Sequence, residues 1–176
     1  PRPRPLQTPP MRKRCPPLVP QVQAPSVAFG LAARQHLAKA PELRPRVDLS
    51  SLKHAINAAE PVRAADVDAF RAAFGATLDP EALRPTYGLA EHTVFVCSNG
   101  RERLEADAAS LDARGDVRDA DGGPSTTLFG CGAPPPSIEL TIVADDRIMP
   151  ENRVGEIWCR SPSRALGYWR RPEASA

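Results

Sequence analysis

Apolar positions recur at three different spacings along this chain, and each spacing predicts a different element. Val27, Phe29, Leu31, Ala32, Leu37 and Ala38 fall at helical intervals. They predict a helix that ends before Pro41, because the residue ahead of a proline is pushed out of helical geometry. Residues 48–52 read as a turn into a short buried strand, His54-Ala55-Ile56. Residues 64–74 give the clearest amphipathic helix, with Val67, Phe70, Ala73 and Phe74 on one face and Asp66, Asp68 and Arg71 on the other. Gly75 stands where a C-terminal cap belongs. A second strand is predicted over 83–87, and the apolar run Val94-Phe95-Val96 follows it. Strand, helix, strand is the βαβ order of an open parallel sheet.

Beyond Ser98 the texture changes. Residues 105–113 read as a short helical patch and 114–126 as a Gly/Asp-rich loop. Strands are predicted at 127–130, 138–143 and 155–159. The middle one alternates Ile138, Leu140 and Ile142 with Glu139 and Thr141, as a half-buried antiparallel strand would. The fold class is therefore α/β: an α/β segment over 24–97, then a β-rich segment over 98–176. After Pro172 no capping element follows, and a β-rich piece with open edges is rarely a finished domain. The expectation is a piece cut from a larger domain.

Composition adds three constraints. Of the 21 prolines, eight lie within the first 20 residues. Residues 1–23 are thus expected to be a disordered, extended or polyproline-like tail without a core. No acid precedes Glu42, although Arg2, Arg4, Arg12, Lys13, Arg14, Arg34 and Lys39 all do. Lacking aromatic stacking residues, this basic stretch is read as a solvated tail rather than a nucleic-acid site. Its prolines also forbid the amphipathic helix of a transit peptide. Cys15, Cys97, Cys131 and Cys159 form no C-x-x-C pair. That spacing argues against zinc, and reduced thiols in the cytoplasm are the expectation. No apolar run approaches the roughly 20 residues of a membrane-spanning helix.

Two clusters carry candidate chemistry. Asn57-Ala58-Ala59-Glu60-Pro61 follows the first strand, and small residues there leave room for a flat ligand to lie on the backbone. A tight strand-to-helix turn would need small residues equally. Arg84-Pro85-Thr86-Tyr87-Gly88-Leu89-Ala90-Glu91 follows the second strand. Its tyrosine can stack on a base, its glycine permits close backbone approach, and its carboxylate can hold a hard cation such as Mg²⁺. A third group, Gly155-Glu156-Ile157-Trp158 with Gly167-Tyr168-Trp169, reads as an edge strand and an aromatic turn without a catalytic role.

These motifs occur in order over residues 24–176 and resemble core motifs of the adenylate-forming superfamily. Asn57-Ala58-Ala59-Glu60-Pro61-Val62-Arg63 together with Tyr87-Gly88-Leu89-Ala90-Glu91 is most similar to the fatty acyl-AMP ligase branch. The resemblance implies part of the large N-terminal domain of such an enzyme. It implies that Ala58, Ala59 and Glu60 line the adenine site and that Tyr87 stacks on adenine beside Gly88. Thr86 would lie near the α-phosphate, and Glu91 would bind Mg²⁺. Ala58 departs from the pattern, since these ligases commonly carry glycine there.

The implied cofactors are ATP and Mg²⁺, and the implied substrate is a fatty acid. The acyl group would pass to an acyl carrier protein or polyketide synthase carrier domain, or else to coenzyme A. The family's phosphate loop, its Thr-Gly-Asp segment and its lysine-bearing C-terminal domain have no counterpart in this sequence. No catalytic residue is therefore assigned, and the chain alone is expected to be inactive. Two alternatives stay open at this level: an acyl-CoA synthetase, and a non-catalytic binding module whose Pro/Arg tail engages a partner such as an SH3 domain.

Overall fold

A computed structural model describes residues 20–43 and 47–175. Its first element, strand β1 (Gln21–Ala24), corrects the expectation that residues 21–23 belong to an unpaired tail. Four residues between Pro20 and Pro25 are too few to display a periodicity, yet their backbone pairs in parallel with β2 (His54–Asn57), Gln21 opposite His54. The rest of the Pro/Arg-rich stretch, residues 1–19, lies outside the described residues. Strand β3 (Leu83–Pro85) pairs in parallel with β2, Ala55 opposite Leu83.

Helix α1 (Ser26–Leu37) connects β1 to β2, and α2 (Ala64–Phe74) connects β2 to β3. Both pack on one face of the three-stranded sheet. Phe29 and Ala33 of α1 meet Val67 and Phe70 of α2 above Ala55 and Leu83, forming the core. The Phe29 and Phe70 rings meet edge-on, with centroids 5.1 Å apart, an arrangement their quadrupoles favour. The two-residue period of a strand then turns His54, Ile56 and Arg84 to the opposite face.

One residue of the expected polar face of α2 is not polar-facing. Asp66 is buried, and its Oδ1 accepts from Arg34 Nη1 at 2.8 Å. The carboxylate fits there because Gly30 of α1 has no side chain: a Cβ at that position would stand 1.8 Å from Asp66 Oδ1.

The remaining strands are antiparallel. After β4 (Ser98–Asn99) come β5 (Arg103–Asp107), α3 (Ala108–Arg114), β6 (Ser125–Phe129) and β7 (Gly132–Ala133). β4 pairs with β7, and β5 pairs with β6. The helical patch expected from Glu105 thus starts three residues later. Asp107 closes the strand by accepting the Ser110 N–H at 2.8 Å, and a helix cannot start ahead of its own cap. Strands β8 (Glu139–Ala144), β9 (Arg147–Ile148) and β10 (Glu156–Arg160) form a sheet in the order β10-β8-β9, with β10 at the edge. The alternation expected in β8 is imperfect, since Val143 is buried while Leu140, Thr141 and Ile142 are all half-buried. Arg103 ties this region to the first: its guanidinium meets Asp68 of α2 at 2.8 Å and stacks over Phe129.

Candidate functional site

β2 and β3 run parallel, so the segments leaving their carboxyl ends emerge side by side. The Thr86 N–H donates to Asn57 O at 3.0 Å, and the Ala58 N–H donates to Ala24 O at 3.2 Å, which carries the ladder past the last strand residues. Beyond it, Ala59 adopts φ 74°, in the left-handed region that penalises any side chain. The position that demands unusual backbone is therefore Ala59, next to Ala58 where the sequence departs from its resemblance.

A cleft of about 500 Å³ opens at this end of the sheet. Ala58, Ala59, Thr86 and Gly88 all line it, together with Ile56 and Arg84 from the uncovered sheet face and Phe95 opposite. Four of the seven expected site residues are thus brought to one cavity. Gly88 has a structural duty as well. A Cβ there would stand 1.4 Å from the Val94 carbonyl oxygen, so no other residue lets the 88–94 loop close.

The other three lie elsewhere. Tyr87 pairs its backbone with Cys97 across an isolated antiparallel bridge, each N–H donating to the other's carbonyl at 3.0 Å. Burial pushes its phenol above the usual value, with Cys159, Cys97 and Glu91 adding to the effect. Burial likewise raises the thiols of Cys97, Cys131 and Cys159. The Glu60 carboxylate turns away from the cleft and accepts the Val27 N–H at 2.6 Å. There it satisfies one of the orphan donors at the start of α1, where a negative charge also opposes the helix dipole. What Glu60 can offer the cleft is backbone.

Glu91 sits on a 3-10 turn, Ala90–His92, beside a second hollow of about 350 Å³. Ala90 lines both hollows, so the two adjoin. A hydrogen bond from Tyr168 and one from backbone hold the Glu91 carboxyl below its ordinary value. Among the described residues no group of three or more His, Cys, Asp or Glu side chains could cage a metal. A single ionised carboxylate is still the donor set that Mg²⁺ uses when substrate phosphates and water fill its other positions, so Glu91 fits that ion on those terms.

Two features escaped sequence reasoning. Asn57 is fully buried, and neither its amide oxygen nor its amide nitrogen finds a hydrogen-bond partner among the described residues. Strand alternation places it on the helix side, away from the cleft that its neighbours line. Tyr168, read as part of a structural turn, donates its phenol proton to Glu91 across 77 residues of sequence. No local pattern marks a contact of that range.

Comparison with known proteins identifies the family. The family model described as AMP-binding enzyme matches residues 8–169. The long-chain-fatty-acid–AMP ligase FadD32 of Mycolicibacterium smegmatis is 33% identical over 161 residues, covering 86% of this chain. The long-chain-fatty-acid–AMP ligase FadD26 of Mycobacterium marinum is 34% identical over 160 residues, again 86% of the chain. The fold matches a fatty acyl-adenylate ligase from Legionella pneumophila, solved in complex with acyl adenylate and pyrophosphate. There the TM-score is 0.77 and the identity 32%, over 89% of this chain and 28% of that one. The chain spans only 25% and 27% of the two mycobacterial relatives' lengths.

Proposed function

This chain belongs to the family of AMP-binding enzymes, and from that premise we propose that it forms the adenine- and Mg²⁺-binding part of a fatty acyl-AMP ligase. The observation that carries the reading is the convergence of Ala58, Ala59, Thr86 and Gly88 on one cleft, with Glu91 at its border. In the proposed reaction, a fatty-acid carboxylate oxygen attacks the α-phosphorus of ATP. The bond from that phosphorus to the α,β-bridging oxygen breaks, so pyrophosphate leaves and acyl-AMP results. A carrier-protein phosphopantetheine thiol then attacks the acyl carbon and expels AMP, with coenzyme A as the rival acceptor.

The residues of this chain would bind and orient rather than exchange protons. The backbone of 58–60 would form one wall for the adenine, and Tyr87 would offer a ring face. Thr86 stands at the strand end, where its hydroxyl, now donating weakly to Arg84 O at 3.3 Å, can turn to a phosphate oxygen. Glu91 would hold Mg²⁺, which when bound neutralises phosphate charge. No helix among the described residues is long and apolar enough to cross a membrane, and Cys97, Cys131 and Cys159 are free thiols, which suits the reducing cytoplasm, where we place the enzyme.

The test is fatty-acid-dependent exchange of radiolabelled pyrophosphate into ATP by the complete enzyme, compared with its Glu91→Gln variant. Exchange that requires fatty acid and falls at least about 100-fold in the variant is expected. Absence of fatty-acid-dependent exchange in the complete enzyme would sink the reading.

A further inference from the structure

The proposed metal ligand does not stand free. The Tyr168 phenol donates to Glu91 Oε1, and no other side chain among the described residues is hydrogen-bonded to this carboxyl. We infer that Tyr168 is a positioning residue for Glu91, holding one carboxylate oxygen so that the other is presented to Mg²⁺ bound with ATP. The inference rests on the reading of Glu91 as that ligand.

The fold builds this contact from both sides. The segment carrying Tyr168 is laced along the turn carrying Glu91. The Ala165 N–H donates to Glu91 O at 2.7 Å, Thr93 Oγ1 donates to Ser163 O at 2.9 Å, and His92 Nδ1 pairs with Ser161 Oγ at 2.8 Å. Tyr168 is seated in turn by Ser175, whose Oγ accepts the Tyr168 N–H at 2.7 Å and donates to Arg171 O at 2.7 Å. A lone exposed glutamate samples several rotamers, and a metal must select the productive one at an entropic cost. A neutral phenol removes much of that freedom without cancelling the charge, as an arginine would. Arg164 lines the same hollow yet forms no ion pair with Glu91 among the described residues. Partners of metal ligands act in this way, fixing orientation from behind the coordinating atom.

The test uses the complete enzyme and isothermal titration of ATP at a series of Mg²⁺ concentrations, without fatty acid. AMP binding in the absence of Mg²⁺ reports the adenine site. Tyr168→Phe keeps the ring and loses only the hydrogen bond. It should raise the Mg²⁺ concentration for half-maximal ATP binding by about 3- to 10-fold and leave AMP binding unchanged. In a Glu91→Gln background the same change should have no further effect on the Mg²⁺ requirement. A Mg²⁺ requirement within about twofold of wild type for Tyr168→Phe, with Glu91→Gln impaired, would overturn the positioning role and leave the Glu91 reading intact. An equal loss of AMP binding in Tyr168→Phe would make the tyrosine merely structural and overturn the proposal too. If Glu91→Gln itself leaves the Mg²⁺ requirement unchanged, the ligand reading fails and the positioning role fails with it.

Discussion

A single missing side chain decides the contact between α1 and α2. Glycine inside a helix is about 1 kcal/mol worse than alanine, so Gly30→Ala should stabilise α1 on propensity alone. Here the new Cβ would stand 1.8 Å from Asp66 Oδ1 and displace a carboxylate that is 5% exposed and bonded to Arg34. Stripping a buried charge of its partner outweighs the propensity gain, and the expected outcome is a net loss of about 1–2 kcal/mol. In an Asp66→Ala background the carboxylate clash disappears and Arg34, whose Nη1 would stand 2.8 Å from the new Cβ, is free to swing away, so Gly30→Ala should become stabilising by up to about 1 kcal/mol. Urea unfolding of the four proteins checks the reversal, and the same sign in both backgrounds would refute the account. The same pair shows where the sequence stops being legible. The 3.6-residue period identified Val67 and Phe70 because a helix face repeats locally. The burial of Asp66 depends on an empty position in another helix, which no period encodes. Likewise Ala58, Ala59, Thr86 and Gly88 could be found because they follow strand ends, whereas the outward turn of Glu60 answers to the start of α1.

Among elements, α3 shows how a cap sets both a boundary and a pH dependence. Asp107 accepts the Ser110 N–H at the start of the helix, and this bond, through side chain and backbone of Ser110, holds its carboxyl below the ordinary value of 3.8. A carboxyl depressed by folding stabilises the fold above its unfolded value, and that contribution is lost as pH falls through the lower folded value. Asparagine caps nearly as well and does not titrate. Asp107→Asn should therefore melt close to wild type at about pH 6 and lose less melting temperature than wild type on going to about pH 3. Parallel acid limbs for the two proteins in a thermal melt followed by circular dichroism would remove the cap from the explanation. At the core, Phe70→Ala should cost about 3–5 kcal/mol in urea unfolding. Its ring packs edge-on against Phe29, and its centroid lies 4.9 Å from that of Phe74. A loss below about 1 kcal/mol would mean the helix pair collapses to fill the space. Element type was legible wherever one face was apolar over several turns, as in α2. It failed at β1, where four residues between prolines hold too little pattern, and at β5, whose Glu105 is fixed by Thr127 across the strand pair.

At the scale of the whole molecule, the sheet is covered on one side only among the described residues. The helices bury Ala55 and Leu83, while the face bearing His54, Ile56 and Arg84 opens onto the cleft. Parallel sheets are characteristically covered on both faces. Further surface points the same way: Leu166, Ile148 and Trp169 are 106%, 76% and 85% exposed. Large apolar side chains left in water promote association. In the reading proposed above only Thr86 and Mg²⁺ held by Glu91 would meet the phosphates, and no lysine or arginine is given that role. Electrostatic stabilisation of that charge is typically the largest single contribution to such a reaction, and losing it removes orders of magnitude in rate. The 176-residue chain prepared alone is therefore expected to give no fatty-acid-dependent pyrophosphate exchange. It should also self-associate in light scattering as its concentration rises. A monodisperse monomer would show that these apolar side chains do not drive association. Exchange by the isolated chain would show that Glu91 and the cleft suffice for chemistry, and the expectation of an inactive chain would have to be abandoned.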